Sequence, residues 1–169
     1  MLTACLGVKD LSTQWEDAIM HRALEGTWEL VEERAEKSPK ETKYYRFTPN
    51  KDYYILDSPK KDAQGVFSPL SKGDEAFHVR SYLHEGHYIM LVKSKNNDGG
   101  FVFPYSRGDK GIQIFYTGDK MMQLLKMAFP NMMHESENLS HLNSKMMTFL
   151  TDMTKQPQLW KVTNIKRVN

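Results

Sequence analysis

Three groups of side chains in this sequence have the types and spacing to do chemistry. His84 and His87 stand three apart, but Glu85-Gly86 between them reads as a hairpin turn, so their imidazoles need not converge on one ion. Two ligands alone make a poor zinc site. Nine of the 11 methionines fall at position 90 or later, and Met121, Met122, Met127, Met132, Met133, Met146, Met147 and Met153 crowd one segment with His134 and His141. Thioether sulfur is soft enough for Cu(I). It is equally the adaptable filler of helix-on-sheet packing and of promiscuous apolar surfaces. Met146 and Met153 share a helical face with Leu139 and Leu142, which favours packing over copper. Arg107-Gly108-Asp109 spells an adhesion tripeptide, although it reads more simply as a hairpin turn, as Gly73-Asp74 and Gly118-Asp119 do. There is no Gly-x-Ser-x-Gly elbow, His-Glu-x-x-His helix or phosphate-cradling glycine loop. The expectation is a non-enzymatic protein without metal or cofactor.

Cys5 is the only cysteine, which excludes an intramolecular disulfide and a cysteine-based zinc site. Leu2-Thr3-Ala4-Cys5 resembles the lipobox that ends a bacterial lipoprotein signal, where the Cys thiol receives diacylglycerol. Only Met1 stands before Leu2, so this reading requires an apolar segment encoded upstream or already trimmed. The plainer alternative is an incidental thiol on a loose N-terminus. The lipobox reading implies export to the periplasm or cell envelope, with lipidation at Cys5 as the membrane tether.

The chain of 169 residues suits one core rather than two. Its 40% apolar and 26% charged residues are ordinary for a folded domain, and three Trp, eight Tyr and eight Phe favour strands. A net charge of +2, with both signs mixed along the chain, offers no basic stripe for nucleic acid. No run of about 18 apolar residues is present.

These residues must be positioned mainly by strands. A short amphipathic helix is expected within residues 9–24, from Leu11, Trp15, Ala18, Ile19 and Arg22, set to lid a barrel end. Gly26 ends it, and residues 28–33 alternate as a half-buried strand. Further strands are expected at 43–47, 52–56, 64–67, 76–83, 87–93, 101–103 and 112–116, separated by Gly, Pro and Asn turns. The strand 87–93 is apolar on both faces and needs cover outside as well as inside. Two helices follow, at 120–129 and about 136–153, the second amphipathic. Residues 159–165 return to strand alternation. The reading is a mainly β protein: a single antiparallel up-and-down β-barrel with a short N-terminal helix and two helices before the last strand. Residues 1–25 form an N-terminal segment, and 26–169 the barrel domain with a helical insertion at 118–155. The expected closure brings the strands between Trp28 and Tyr116 round until first and last meet.

Gly26-x-Trp28 on the first strand, the helical lead-in, the meander, the late helices and the final strand together resemble the lipocalin or calycin superfamily, and in particular lipocalin-like exported proteins of Bacteroides type. The resemblance implies that Trp28 packs across the barrel bottom against a basic side chain, for which Arg167 is the candidate. The chain departs from the lipocalin pattern in lacking a Thr-Asp-Tyr-like turn and a disulfide, and in its longer helical segment.

An eight-stranded barrel can hold one small ligand, and its inward residues alternate along each strand. If Trp28 points in, so do Leu30 and Glu32. On the other strands the expected lining is Tyr45, Phe47, Tyr53, Ile55, Phe77, Val79, Tyr88, Met90, Phe101 and Phe103. Such a wall suits a hydrophobic small molecule. The alternative is a filled barrel serving as a protein-interaction module, docking a partner through the Met-rich helices.

Overall fold

Two-residue turns set the register of the sheet. In the computed structural model, which describes residues 5–31, 42–70, 76–133 and 138–169, strands β5 (Phe77–His84) and β6 (His87–Ser94) are joined by Glu85 and Gly86. Both lie at positive φ, 48° and 82°, the geometry whose twist matches paired strands. Strands β3 (Tyr44–Asn50) and β4 (Tyr53–Asp57) turn in the same short space, with Lys51 at φ 56°. Strands β7 (Gly100–Gly108) and β8 (Gly111–Tyr116) turn at Asp109-Lys110. A Cβ on Gly111 would meet the Ile165 carbonyl at 2.0 Å, so only glycine admits the strand packed beside it.

That strand is β10 (Lys161–Arg167), and it closes the barrel. The ring runs β2 (Gly26–Val31), β3, β4, β5, β6, β7, β8, β10 and back to β2, antiparallel at every step. It is an eight-stranded, lipocalin-like barrel without a free edge, which removes the unpaired backbone groups an open sheet exposes.

The route to closure differs from the sequence expectation in two ways. Residues 64–67 form no strand. They lie in a loop with one bridge, Lys61 to Phe67, organised by Asp62, whose carboxylate accepts from the Gln64 and Val66 amides at 3.0 and 2.8 Å. One strand is therefore missing from the meander, and β2 does not meet β8. The C-terminal strand fills the place between them.

The N-terminus is not loose from Cys5 onward. Strand β1 (Leu6–Asp10) pairs antiparallel with the first residues of β7, at Leu6–Val102 and Val8–Gly100, and parallel with β9 (Asn138–His141). The nine-residue β7 thus serves β1 over one half and β8 over the other. This strand pairing shortens the expected helix 136–153. Helix α3 starts only at Ser144, where the Asn143 side chain accepts from the Met146 amide at 2.9 Å, and ends at Met153. The start of the expected helix, with His134, lies outside the described residues, as do Gly73-Asp74 and the lipobox positions before Cys5. Helix α2 (Asp119–Ala128) stops before Pro130. Helix α1 is only Ser12–Asp17. Its Trp15 ring lies beside β5 and β6, between Arg80 (5.0 Å) and Lys93 (4.7 Å), not over the barrel end. A 3-10 turn at Arg22–Leu24 takes that position instead and buries Leu24 within the barrel core.

Two apolar cores result. Inside the ring, Leu24, Trp28, Phe47, Tyr54, Val79, Met90, Phe103, Ile112 and Ile165 pack together. Outside it, the other face of β6 (Ile89, Leu91) joins Leu6, Val8, Val102, Met121, Met122, Leu125, Leu139, Met146, Met147 and Leu150. This second core explains the doubly apolar sequence of β6, because α2, α3, β1 and β9 cover the barrel there.

Candidate functional site

The barrel has one plugged end and one end that reaches a cavity. Register places Trp28, Tyr53, His84, Gly108 and Arg167 toward the first, and Asp57, Phe77, Ser94, Gly100 and Tyr116 toward the second.

At the plugged end Trp28 donates its indole Nε1–H to the Leu24 carbonyl at 2.8 Å. The Arg167 guanidinium carbon stands 4.6 Å from the Trp28 ring centroid, and its Nη2 donates to the Ala23 carbonyl at 3.2 Å. Gly26 has φ 117°, and a Cβ there would come within 2.8 Å of Arg167 Nη1. The Gly-x-Trp spacing therefore has a physical meaning: the glycine permits the backbone turn and leaves room for the guanidinium that caps the tryptophan.

His21 enters the same end. Its ring stacks on Tyr88 at 3.9 Å, and its Nδ1 lies 2.7 Å from the Tyr105 hydroxyl, which lies 2.6 Å from Ser81 Oγ. Burial lowers the His21 pKa, and the nearby Arg107 lowers it further. Burial pushes the Tyr105 phenol up. Tyr54 is buried in the same core, and its hydroxyl has no hydrogen-bond partner among the described residues.

At the other end lies a cavity of about 310 Å³. Its wall comes from almost every strand: Tyr45 and Phe47 of β3, Leu56 of β4, Met90 and Val92 of β6, Phe101 and Phe103 of β7, Ile114 and Tyr116 of β8, and Ile165 of β10. Phe77, Asp57, Ser58 and Cys5 complete it. Phe77 and Ser58 are exposed, so the space reaches solvent at this rim. The cavity is small by the standard of ligand pockets, about 300 to 1,000 Å³, and mostly apolar and aromatic.

Six of the expected lining residues, Tyr45, Phe47, Phe77, Met90, Phe101 and Phe103, are brought together there. Leu30, Val79 and Tyr88 belong to the inner core without lining the cavity. On β4 the phase is the reverse of the expected one. Tyr54 and Leu56 face in, while Tyr53 and Ile55 face away, with Tyr53 stacked on His78 at 4.1 Å. The pairing of Tyr54 with Val79 and of Leu56 with Phe47 fixes this choice. Tyr53-Tyr54-Ile55-Leu56 is apolar at every position, so its sequence carries no alternation to read. Glu32 lies outside the described residues. The sequence reading missed Leu56, Val92, Ile114, Tyr116, Ile165 and Cys5 as lining. Ile112, Ile114 and Tyr116 alternate around Gln113, a signal that was there to find. Ile165 follows only once β10 is known to be a wall of the barrel.

Burial raises the Cys5 thiol pKa, and likewise holds the Tyr116 phenol in its neutral form. Asp57, the one charged residue in the lining among the described residues, turns its carboxylate to its cross-strand partner Arg46, which donates from Nε at 2.9 Å and from Nη2 at 2.5 Å.

The other candidates are distributed differently. His84 Nε2 lies 2.8 Å from Thr148 Oγ1, tying the β5–β6 hairpin to α3. Met121, Met122, Met133, Met146 and Met147 are buried in the outer core, whereas Met127 is exposed. Among the described residues no group of three or more His, Cys, Asp or Glu side chains is placed to hold a metal ion. Arg107-Gly108-Asp109 is the end of β7 and its turn. No helix among the described residues is long and apolar enough to cross a membrane. No protein-family model matches the chain, nor does any curated protein or solved structure.

Proposed function

We propose that this chain is a non-enzymatic, lipocalin-like binding protein that takes a hydrophobic small molecule into its barrel. The observation that carries the reading is the cavity of about 310 Å³, walled by aromatic and aliphatic side chains from successive strands and open beside Phe77 and Ser58. Affinity would arise mainly from apolar burial, at roughly 25 cal/mol per Å². The plugged end supports the same reading, since Trp28, Leu24 and Arg167 make a rigid floor.

Titration with the neutral fluorophore N-phenyl-1-naphthylamine tests it. One molecule should bind per chain, with a blue shift and enhanced emission. The cavity-filling changes Ile114→Phe and Val92→Phe should each weaken binding about tenfold, the equivalent of roughly 1.4 kcal/mol, while leaving the unfolding transition cooperative. Binding that ignores both changes would refute the assignment. In the chain without lipid at Cys5, ligand should also slow alkylation of that thiol, which sits in the cavity lining.

The alternative, a platform that docks a protein through its Met-rich helices, finds less support. Seven of the methionines in that segment are taken up in packing against the barrel, five of them buried. Export and lipidation at Cys5 belong to the proposal on the strength of Leu2-Thr3-Ala4-Cys5 alone. A lipid attached there would lie at the cavity rim, and the mass of the chain recovered from the membrane fraction of its host would reveal it.

A further inference from the structure

We infer that the cavity selects uncharged ligands over anionic ones of the same size, an inference that rests on the binding reading above. A carboxylate moved out of water needs a cation or several hydrogen-bond donors to replace its hydration, and without them the cost is large. The lining supplies no cation: among the described residues it contains no Lys, Arg or His. Two basic groups close to the rim are engaged elsewhere, and Lys43, Lys60 and Lys61 line a separate groove beyond Ser58. Arg46 forms its paired hydrogen bonds with Asp57, and a third with the Ser68 carbonyl at 2.8 Å. Lys93, in the groove that adjoins the cavity through Phe77 and Phe101, carries its Nζ to 4.7 Å from the Trp15 ring on the outer face. Lys161, at the same end of β10, runs along Gly118.

Among the described residues, the polar groups that do reach the cavity are neutral, apart from one carboxylate. Cys5 carries a protonated thiol, or a neutral thioether where lipidated, and Tyr116 a protonated phenol that burial keeps so. The Asp57 carboxylate is taken up by Arg46, and the pair offers an anionic ligand no uncompensated positive charge. A ligand suited to this wall has one or two rings or a short apolar chain, to match about 310 Å³, and at most a hydroxyl or carbonyl as its polar part. Long-chain fatty acids at neutral pH are disfavoured both by charge and by length.

A matched pair separates charge from shape. 2-Naphthalenemethanol and 2-naphthoate, competing against N-phenyl-1-naphthylamine near neutral pH, should differ at least about tenfold in favour of the alcohol. Ser58→Arg, which places a cation at the exposed rim, should narrow or invert that ratio. Equal or tighter binding of naphthoate by the wild-type chain would overturn selectivity while leaving the binding reading intact. Failure of the fluorophore and of both naphthalenes to bind would overturn the two together.

Discussion

Arg167 and Trp28 are direct cross-strand partners on β10 and β2, and the guanidinium carbon stands 4.6 Å from the indole centroid. The C-terminal strand is thus fastened to the first barrel strand at the very pair that floors the barrel. Arg167→Met should lower stability by about 0.5–1 kcal/mol from the lost cation–ring attraction, the scale for an exposed cation. A double-mutant cycle with Trp28→Leu, followed by urea unfolding, should return a coupling energy within that range. Gly26→Ala meets both a positive φ and the guanidinium, and should cost about 1–3 kcal/mol in the same assay.

Tyr54 is among the most buried side chains of the inner core, and its hydroxyl finds no partner among the described residues. An unsatisfied buried donor costs about 1–3 kcal/mol. Tyr54→Phe should therefore leave the melting temperature unchanged or raise it. A fall of several degrees in thermal unfolding would mean that the hydroxyl has a partner after all.

The plug makes stability depend on pH in a definite direction. His21 has a folded-state pKa lowered by burial and by Arg107, and His78, on the outside of the barrel, is lowered by burial, Lys93 and Lys95. The unfolded chain then binds more protons than the folded one below about pH 6.5. Stability from these groups is complete above that value and is lost as pH falls through it. The groups around His21 are Tyr88, Tyr105 and Arg107, none of which gains charge on acidification. His21→Phe, which keeps a ring on Tyr88, should flatten part of the decline in melting temperature as the pH is taken from about 7 to about 5.5, the range in which an ordinary histidine gains its proton. An unchanged slope would mean that His21 contributes nothing to it.

The two cores should respond separately to damage. Leu150 is fully buried between α3 and the outside of the barrel. Leu150→Ala should cost about 2–5 kcal/mol in denaturant unfolding, yet leave fluorophore affinity within about twofold, because the residue does not line the cavity.

Much of this architecture could be read from the sequence, for physical reasons that also mark where reading failed. Glu85-Gly86 and the alternation around Trp28 announce a hairpin and a half-buried strand because their constraints are local. The double-sided apolar run at β6 required an outer layer, and α2 and α3 supply it. By contrast, Leu6–Asp10 is a strand because it pairs with distant β7, and Asn138–His141 because it pairs in turn with Leu6–Asp10. No local pattern encodes such a partnership. The same holds for β10: its alternation was visible, but its place between β8 and β2 depends on residues 64–67 not being a strand. For the cavity, the residues on strands with polar alternation were easier to place than those on β4, where the run from Tyr53 to Leu56 is apolar throughout.

The methionines themselves report where a ligand goes. Met90 lines the cavity, whereas Met121, Met122, Met133, Met146 and Met147 lie in the outer core beneath the helices. In a methyl-resolved NMR titration of methionine-labelled protein with 2-naphthalenemethanol, the Met90 signal should shift in a saturable manner while the outer-core signals stay in place. Shifts among the outer-core methionines with Met90 unmoved would refute binding inside the barrel and locate it on the helices instead.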